Sequence, residues 1–126
     1  DAGALTRLQK MKTGALIEYS VDAGCIIGQV PDSIRSALTA YAHDIGLAFQ
    51  IADDLLDVEA CQDVIGKTPG KDEASGKVTF VSLLGLNRAK DQARILVEQA
   101  IGHLESFGSE ADALREAAHY VIIRGH

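Results

Sequence analysis

The sequence predicts an all-α domain, and three observations carry that prediction. Apolar residues recur at helical spacing along most of the chain, and nowhere do they alternate as a half-buried strand requires. Only two prolines occur in 126 residues, so long uninterrupted helices are possible. The apolar content, 47 %, is carried by Ala, Ile, Leu and Val, with three Phe, three Tyr and no Trp. Ala and Leu favour helix outright, and Ile and Val pack well once one has formed.

The elements follow in order. Leu5, Leu8, Met11, Leu16, Ile17, Val21, Cys25 and Ile26 mark a first helix that runs to about Ile27, where Gly28 offers a stop. Pro31-Asp32 opens a second helix, with proline tolerated in a first turn. This helix runs from Asp32 to about Val58, and its apolar positions, from Ile34 and Leu38 to Leu55 and Leu56, wrap most of its circumference. Such a helix is buried on several sides. Gly66, Pro69, Gly70 and Gly76 make residues 59–77 read as a loop, and a loop of that length in a small domain is usually functional or disordered. Helix resumes over Thr79–Leu84. Asn87 is placed to cap the next helix, which Gly108 ends. Ser109 with Asp112 resembles a capping box and opens a last helix through Ala113, Leu114, Ala117, Ala118, Val121 and Ile122. No internal repeat is present, and the helices are expected to pack antiparallel through mostly short connections.

The formal charge is −6, with no block of Lys and Arg, which gives no footprint for a nucleic-acid partner. No apolar run approaches the roughly 20 residues that span a bilayer, so no membrane span and a cytoplasmic location are expected. Cys25 and Cys61 have no metal-type spacing and read as free, buried thiols. The opening Asp-Ala-Gly-Ala-Leu has neither an initiator Met nor a signal-peptide pattern, and reads as an internal piece of a longer chain.

The chemistry concentrates at Asp53-Asp54-Leu55-Leu56-Asp57. On a helix these three carboxylates fall within an arc of about 100°, and Gln50 joins the same stripe. Three acids together on so apolar a helix repel one another and call for a cation. Carboxylate oxygens suit Mg²⁺, which takes one or two carboxylates, keeps several waters and completes its shell with substrate phosphates. A solvated acidic face is the plainer reading, and the neighbours Phe49, Ile51, Ala52, Leu55 and Leu56 weigh against it. Lys67, Lys71 and Lys77 among the glycines of 59–77 can serve as a cationic flap over phosphates, or only as soluble surface. Acid stripe and basic loop together point to a magnesium-assisted reaction of a diphosphate.

Five motifs stand in order: Lys12-Thr13-Gly14, Gly46-Leu47-Ala48-Phe49-Gln50, Asp53-Asp54-Leu55-Leu56-Asp57, Gly66-Lys67 and Gly76-Lys77. With the ending Tyr120-Val121-Ile122-Ile123-Arg124 they make the whole chain resemble class I trans-prenyl diphosphate synthases, most closely the C-terminal half of a bacterial farnesyl diphosphate synthase. The resemblance implies the C-terminal half of an isoprenoid-synthase-type helical bundle, with residues 1–126 forming part of one domain. It implies that Asp53, Asp54 and Asp57 hold Mg²⁺, several ions of which bridge to diphosphate, and that Asp72 supports the metal cluster from the loop. Lys12, Lys67 and Lys77 would bind diphosphate, and Thr13 and Gln50 would set oxygen dipoles beside the allylic carbon. The implied reaction ionises an allylic diphosphate, dimethylallyl or geranyl. Isopentenyl diphosphate then attacks the cation through its double bond and a proton is lost, giving farnesyl diphosphate. A homodimer is implied as well.

Each residue also has a plainer reading. Thr13 can bond back to its own helix, Gln50 can be a core amide, Lys12 can be a surface lysine whose stem covers apolar neighbours, and Phe49 can be core packing. His43, His103, His119 and His126 show no ligand spacing. The family's first aspartate-rich motif and its isopentenyl diphosphate site are absent from these 126 residues, so the N-terminal half of the enzyme is the expected partner. Two other classes stay open: a non-catalytic helical subunit of a prenyl synthase, and another class I terpenoid synthase.

Overall fold

The computed structural model describes residues 2–65 and 85–124, without the side chains of residues 6, 9, 10 and 60–65. Among these residues are four α-helices: α1 (Ala2–Ile27), α2 (Asp32–Ile65), α3 (Leu86–Gly102) and α4 (Asp112–Ile123). A single 3₁₀ turn (Ser109–Ala111) precedes α4. No strand occurs among the described residues, and the all-α expectation holds.

Helix α2 is the centre of the bundle. It packs against α1 on one side and against α3 and α4 on the other, most extensively against α3. Its sequence explains this position. Tyr41, Ile45, Ala48, Ile51, Ala52 and Leu55 are buried toward the common core, while Ala42 and Gly46 are buried on a different arc. From the other helices the core takes Ala89, Ala93, Leu96, Val97 and Ala100, then Leu104, Ala111, Ala118 and Val121. Five of these positions, Ala48, Ala89, Ala93, Ala100 and Ala118, are alanines no more than 1 % exposed. These positions carry only a methyl group, and Ile51, Leu96, Val97 and Leu104 fill the core around them.

Polar links tie the helices at their surfaces. The Arg35 guanidinium reaches Asp22 Oδ1 from Nε at 3.0 Å, joining α2 to α1. His43 Nδ1 lies 3.0 Å from Glu18 Oε1, and His103 Nε2 lies 3.0 Å from Asp44 Oδ2. These two histidines, which sequence spacing left without a role, link α2 to α1 and to the end of α3. In the interior the Tyr41 hydroxyl donates to the Leu114 carbonyl at 2.7 Å. Burial pushes the Tyr41 phenol up, so the hydroxyl stays protonated as a donor. Its contribution is present below the ordinary phenol range and is lost as pH rises through the raised value.

The structure corrects several boundaries. Helix α2 continues through Ile65, so the first seven residues of the expected 59–77 loop are helical. Nothing between Val58 and Ile65 breaks a helix; the first glycine is Gly66. Residues 66–77 of that loop, and the helix expected over 79–84, lie outside the described residues. Asn87 does not cap α3. Gly85 occupies the cap at φ 82° and ψ 157°, backbone that glycine adopts freely, and Asn87 is inside the helix. The same helix ends at Gly102 rather than Gly108, unwinding through three-residue turns between His103 and Phe107.

The expected Ser109–Asp112 capping box does not form, because Ala111 is the cap of α4 and no side chain bonds to it. Two other side chains hold this corner. Glu110 Oε1 accepts from the Gly108 N–H at 3.0 Å. Backbone N–H groups of Glu110 and Gly108 hold that carboxyl below the usual carboxylate range. Its contribution is therefore present above the ordinary carboxylate pKa and lost as pH falls through the lowered one. Arg115 donates to the carbonyls of Gly108 and Leu104, each at 2.8 Å, and of Phe107 at 2.7 Å, occupying oxygens that the unwinding of α3 leaves over.

The turn after α1 also differs in detail from its sequence signal. Gln29 N–H bonds to Ile26 O at 3.1 Å and Val30 N–H to Cys25 O at 3.2 Å, the paired bonds of a Schellman stop. The left-handed residue of that stop is Gln29, at φ 52°, and not the neighbouring Gly28. A side chain in that conformation costs about 1 kcal/mol. Gln29→Gly should therefore stabilise the fold by up to about 1 kcal/mol, less the larger entropy glycine loses on folding. The midpoint of urea unfolding measures it; an unchanged or lowered midpoint would show that Gln29 contributes something the turn geometry does not reveal.

Candidate active site

The functional stripe lies on the C-terminal half of α2, and the chain around it dictates its environment. Asp54 is 2 % exposed, whereas Asp53 is partly exposed and Asp57 is exposed. The three acids thus divide: Asp53 and Asp57, four residues apart on one line, reach the surface, and Asp54, about a sixth to a quarter of a turn away, is enclosed. Among the described residues no group of three or more His, Cys, Asp and Glu side chains is arranged to hold a metal ion by itself. The donor set that faces outward is two hard carboxylates. That is what Mg²⁺ takes from a protein when substrate phosphates and water complete the shell, so these residues fit the ion.

Arg124, at the end of α4, stands over the same line. Its guanidinium carbon lies 3.9 Å from the Phe49 ring centroid, a cation–π stack, and its Nη2 lies 3.9 Å from Asp53 Oδ1. It also donates to the Val121 carbonyl at 3.3 Å and more weakly to the Phe49 carbonyl at 3.4 Å. The C-terminal turn is thereby docked on Phe49 and Asp53. Sequence reading gave Arg124 no role. Its signal was the one arginine that closes an apolar helix, and only the fold shows that this end returns to α2.

Lys12 and Thr13 lie on α1, Lys12 exposed and Thr13 half-buried. Gly14 is where α1 meets α2. A Cβ built on Gly14 would stand 2.9 Å from Gln50 Nε2, and one on Gly46 would stand 3.6 Å from the Gly14 Cα. The crossing point therefore brings the Lys12-Thr13-Gly14 motif onto the Gly46–Gln50 motif, one turn before Asp53 and Asp54. Lys67, Asp72 and Lys77 lie outside the described residues. Beside the stripe, Leu55, Leu56, Val121 and Ile122 with Glu59, Lys90, Arg94 and Arg124 line a cleft of about 320 Å³ between α2, α3 and α4. Among the described residues no helix is long and apolar enough to cross a membrane.

Comparison with known proteins identifies the family. The family model described as polyprenyl synthetase matches residues 3–121. A dimethylallyltranstransferase of Fischerella ambigua (strain UTEX 1903) is 44 % identical over 126 residues, covering 100 % of this chain and 36 % of that protein. A farnesyl diphosphate synthase of Geobacillus stearothermophilus is 37 % identical over 122 residues, covering 97 % of this chain and 41 % of that one. Among solved structures, an apo FPP/GFPP synthase from Zymomonas mobilis superposes with a TM-score of 0.74 at 52 % identity, over 96 % of this chain and 38 % of that one. The chain spans about two fifths of the length of these relatives. With the helical fold, the ordered motifs and a family match over nearly all its residues, the chain belongs to the polyprenyl synthetase family, the class I trans-prenyl diphosphate synthases.

Proposed function

We propose that this chain supplies the allylic-diphosphate side of a prenyltransferase that condenses isopentenyl diphosphate with dimethylallyl or geranyl diphosphate to give farnesyl diphosphate. The observation that carries the reading is the crossing of α1 and α2, where Gly14 rests against Gln50 one turn before Asp53. The farnesyl product is supported by the names of the Geobacillus and Zymomonas relatives.

In this reading Asp53 and Asp57 hold Mg²⁺ with their open carboxylates, and Asp54 supports them from the interior. Bound Mg²⁺ supplies neutralisation of the departing diphosphate. The Lys12 ammonium binds the same anion through charge-assisted hydrogen bonds. The Thr13 hydroxyl and the Gln50 amide present oxygen dipoles to the allylic carbon as positive charge develops there, a stabilisation that costs no reorganisation when the groups are already fixed. Lys67 and Lys77 bind diphosphate, and Asp72 supports the metal cluster. The remaining length of the enzyme packs across the Asp53–Asp57 face and brings the isopentenyl diphosphate site, and the whole pairs as a homodimer.

The test is incubation of the intact enzyme with radiolabelled isopentenyl diphosphate and geranyl diphosphate, with Mg²⁺ or with excess chelator. Label should pass into an acid-labile fifteen-carbon product only with Mg²⁺, at a rate on the order of 1 s⁻¹ or faster. No incorporation with either allylic substrate would remove the reading in favour of a non-catalytic subunit.

A further inference from the structure

We propose that Gly14 is a positioning residue for Gln50: by lacking a side chain, it sets where the Gln50 amide stands against α1. This rests on the prenyl-transfer reading above, which gives Gln50 its task, and goes beyond it by assigning a role to a residue that touches no substrate.

Two glycines meet at the crossing, and they are not equivalent. At Gly46 an added Cβ would lie 3.6 Å from the Gly14 Cα and 3.9 Å from the Gly14 carbonyl oxygen, ordinary van der Waals contact. At Gly14 it would lie 2.9 Å from Gln50 Nε2, closer than a carbon and an amide nitrogen stand without moving. The atom it meets is the far end of a flexible side chain. The backbones can therefore stay while the amide gives way. Helix propensity alone favours alanine over glycine at position 14 by about 1 kcal/mol, so the glycine costs stability where it stands.

An amide that must stabilise a short-lived cation acts through orientation, and a displacement of about 1 Å can cost 10²-fold in rate. Gly14→Ala should therefore lower kcat about tenfold in the intact enzyme and leave the KM for isopentenyl diphosphate within about twofold. Gly46→Ala, which adds the same methyl at the same crossing without meeting Gln50, should stay within about twofold of the parent in both constants.

The deciding measurement is the cycle with Gln50→Asn, whose shorter side chain leaves room for the methyl. In the Gln50→Asn background, adding Gly14→Ala should change kcat by less than about twofold, because the clash is gone. A crystal structure of Gly14→Ala should show the Gln50 amide displaced with α1 and α2 in place. The proposal is overturned if Gly14→Ala keeps parental kcat, if its loss persists undiminished beside Gln50→Asn, or if α1 shifts while the amide does not. Should Gly14→Ala alone be insoluble, the double variant must recover solubility, and a double variant equally insoluble overturns it too. A parent enzyme with no prenyl transfer would instead strike the functional reading, a result distinct from all of these.

Discussion

Asp53→Ala in the intact enzyme should lower turnover by about 10²-fold or more at saturating Mg²⁺. Asp53 is the acid on which the local geometry converges. It is partly exposed, it aligns with Asp57 along α2, and the Arg124 guanidinium stands 3.9 Å from its Oδ1. Removing it takes one of two open carboxylates from the face that would hold the ion, and leaves Arg124 a cation with less to face. The loss should fall on kcat more than on the KM for isopentenyl diphosphate, because the stabilised charge develops only as the allylic bond breaks. Asp53→Asn, which keeps the shape and loses the charge, should be nearly as damaging; a slow Asp53→Ala beside a normal Asp53→Asn would assign the residue a structural task. Parental turnover in both variants would end its assignment as a metal-facing acid.

The 126 residues by themselves should give no detectable condensation and should not melt as a cooperative monomer. The match leaves about three fifths of each relative's length uncovered, since 36 % of the Fischerella protein and 38 % of the Zymomonas chain are spanned. What is present buries one side of α1 only: Leu5, Leu8, Leu16, Tyr19, Ile26 and Ile27 are each between 48 % and 83 % exposed and lie along one stripe of that helix. A stripe of that size in water drives association. Sizing should show aggregates or oligomers, circular dichroism should show helix without a sharp transition, and a labelled isopentenyl diphosphate assay should read background. Co-expression with the remaining length of the enzyme should restore both the sharp melt and the activity. A monomeric, cooperative and active segment would mean that these four helices enclose the substrate unaided.

How far the sequence spoke depended on whether a signal was local. The course of α2 was legible from its all-round apolar pattern, and so was the core, because Tyr41, Ile45, Ala48, Ile51 and Leu55 could be read off one helix. Helix ends were less legible. Gly28 and Asn87 are sound punctuation in isolation; α1 does end at Ile27 as expected, but the left-handed residue of its stop is Gln29, and the cap of α3 is Gly85, two residues before Asn87. The competing choices differ by about 1 kcal/mol, and packing settles differences of that size. At the site, the order of motifs located Asp53, Asp57 and Gln50 correctly on one helix, and periodicity placed Asp54 in their arc. That Asp54 is enclosed while its neighbours are open could not be read from α2 alone, since it depends on what packs against that helix. Arg124 and Gly14 were hidden for the same reason. Each acts on a residue distant in sequence, Phe49 with Asp53 in one case and Gln50 in the other.

The alanine seam between α2, α3 and α4 has a mechanical consequence. Ala48, Ala89, Ala93, Ala100 and Ala118 leave essentially no accessible surface along that contact. At these five positions a methyl group is the whole side chain, and Ile51, Leu96, Val97 and Leu104 fill the same core beside them. A bulkier residue at Ala48, Ala89, Ala100 or Ala118, each 0 % exposed, must displace a packed neighbour. The helices behind Asp53 and Asp57 therefore behave as a stiff backing plate. Asp53 and Asp57 stand at the edge of that packed core, and their spacing is set by α2 itself.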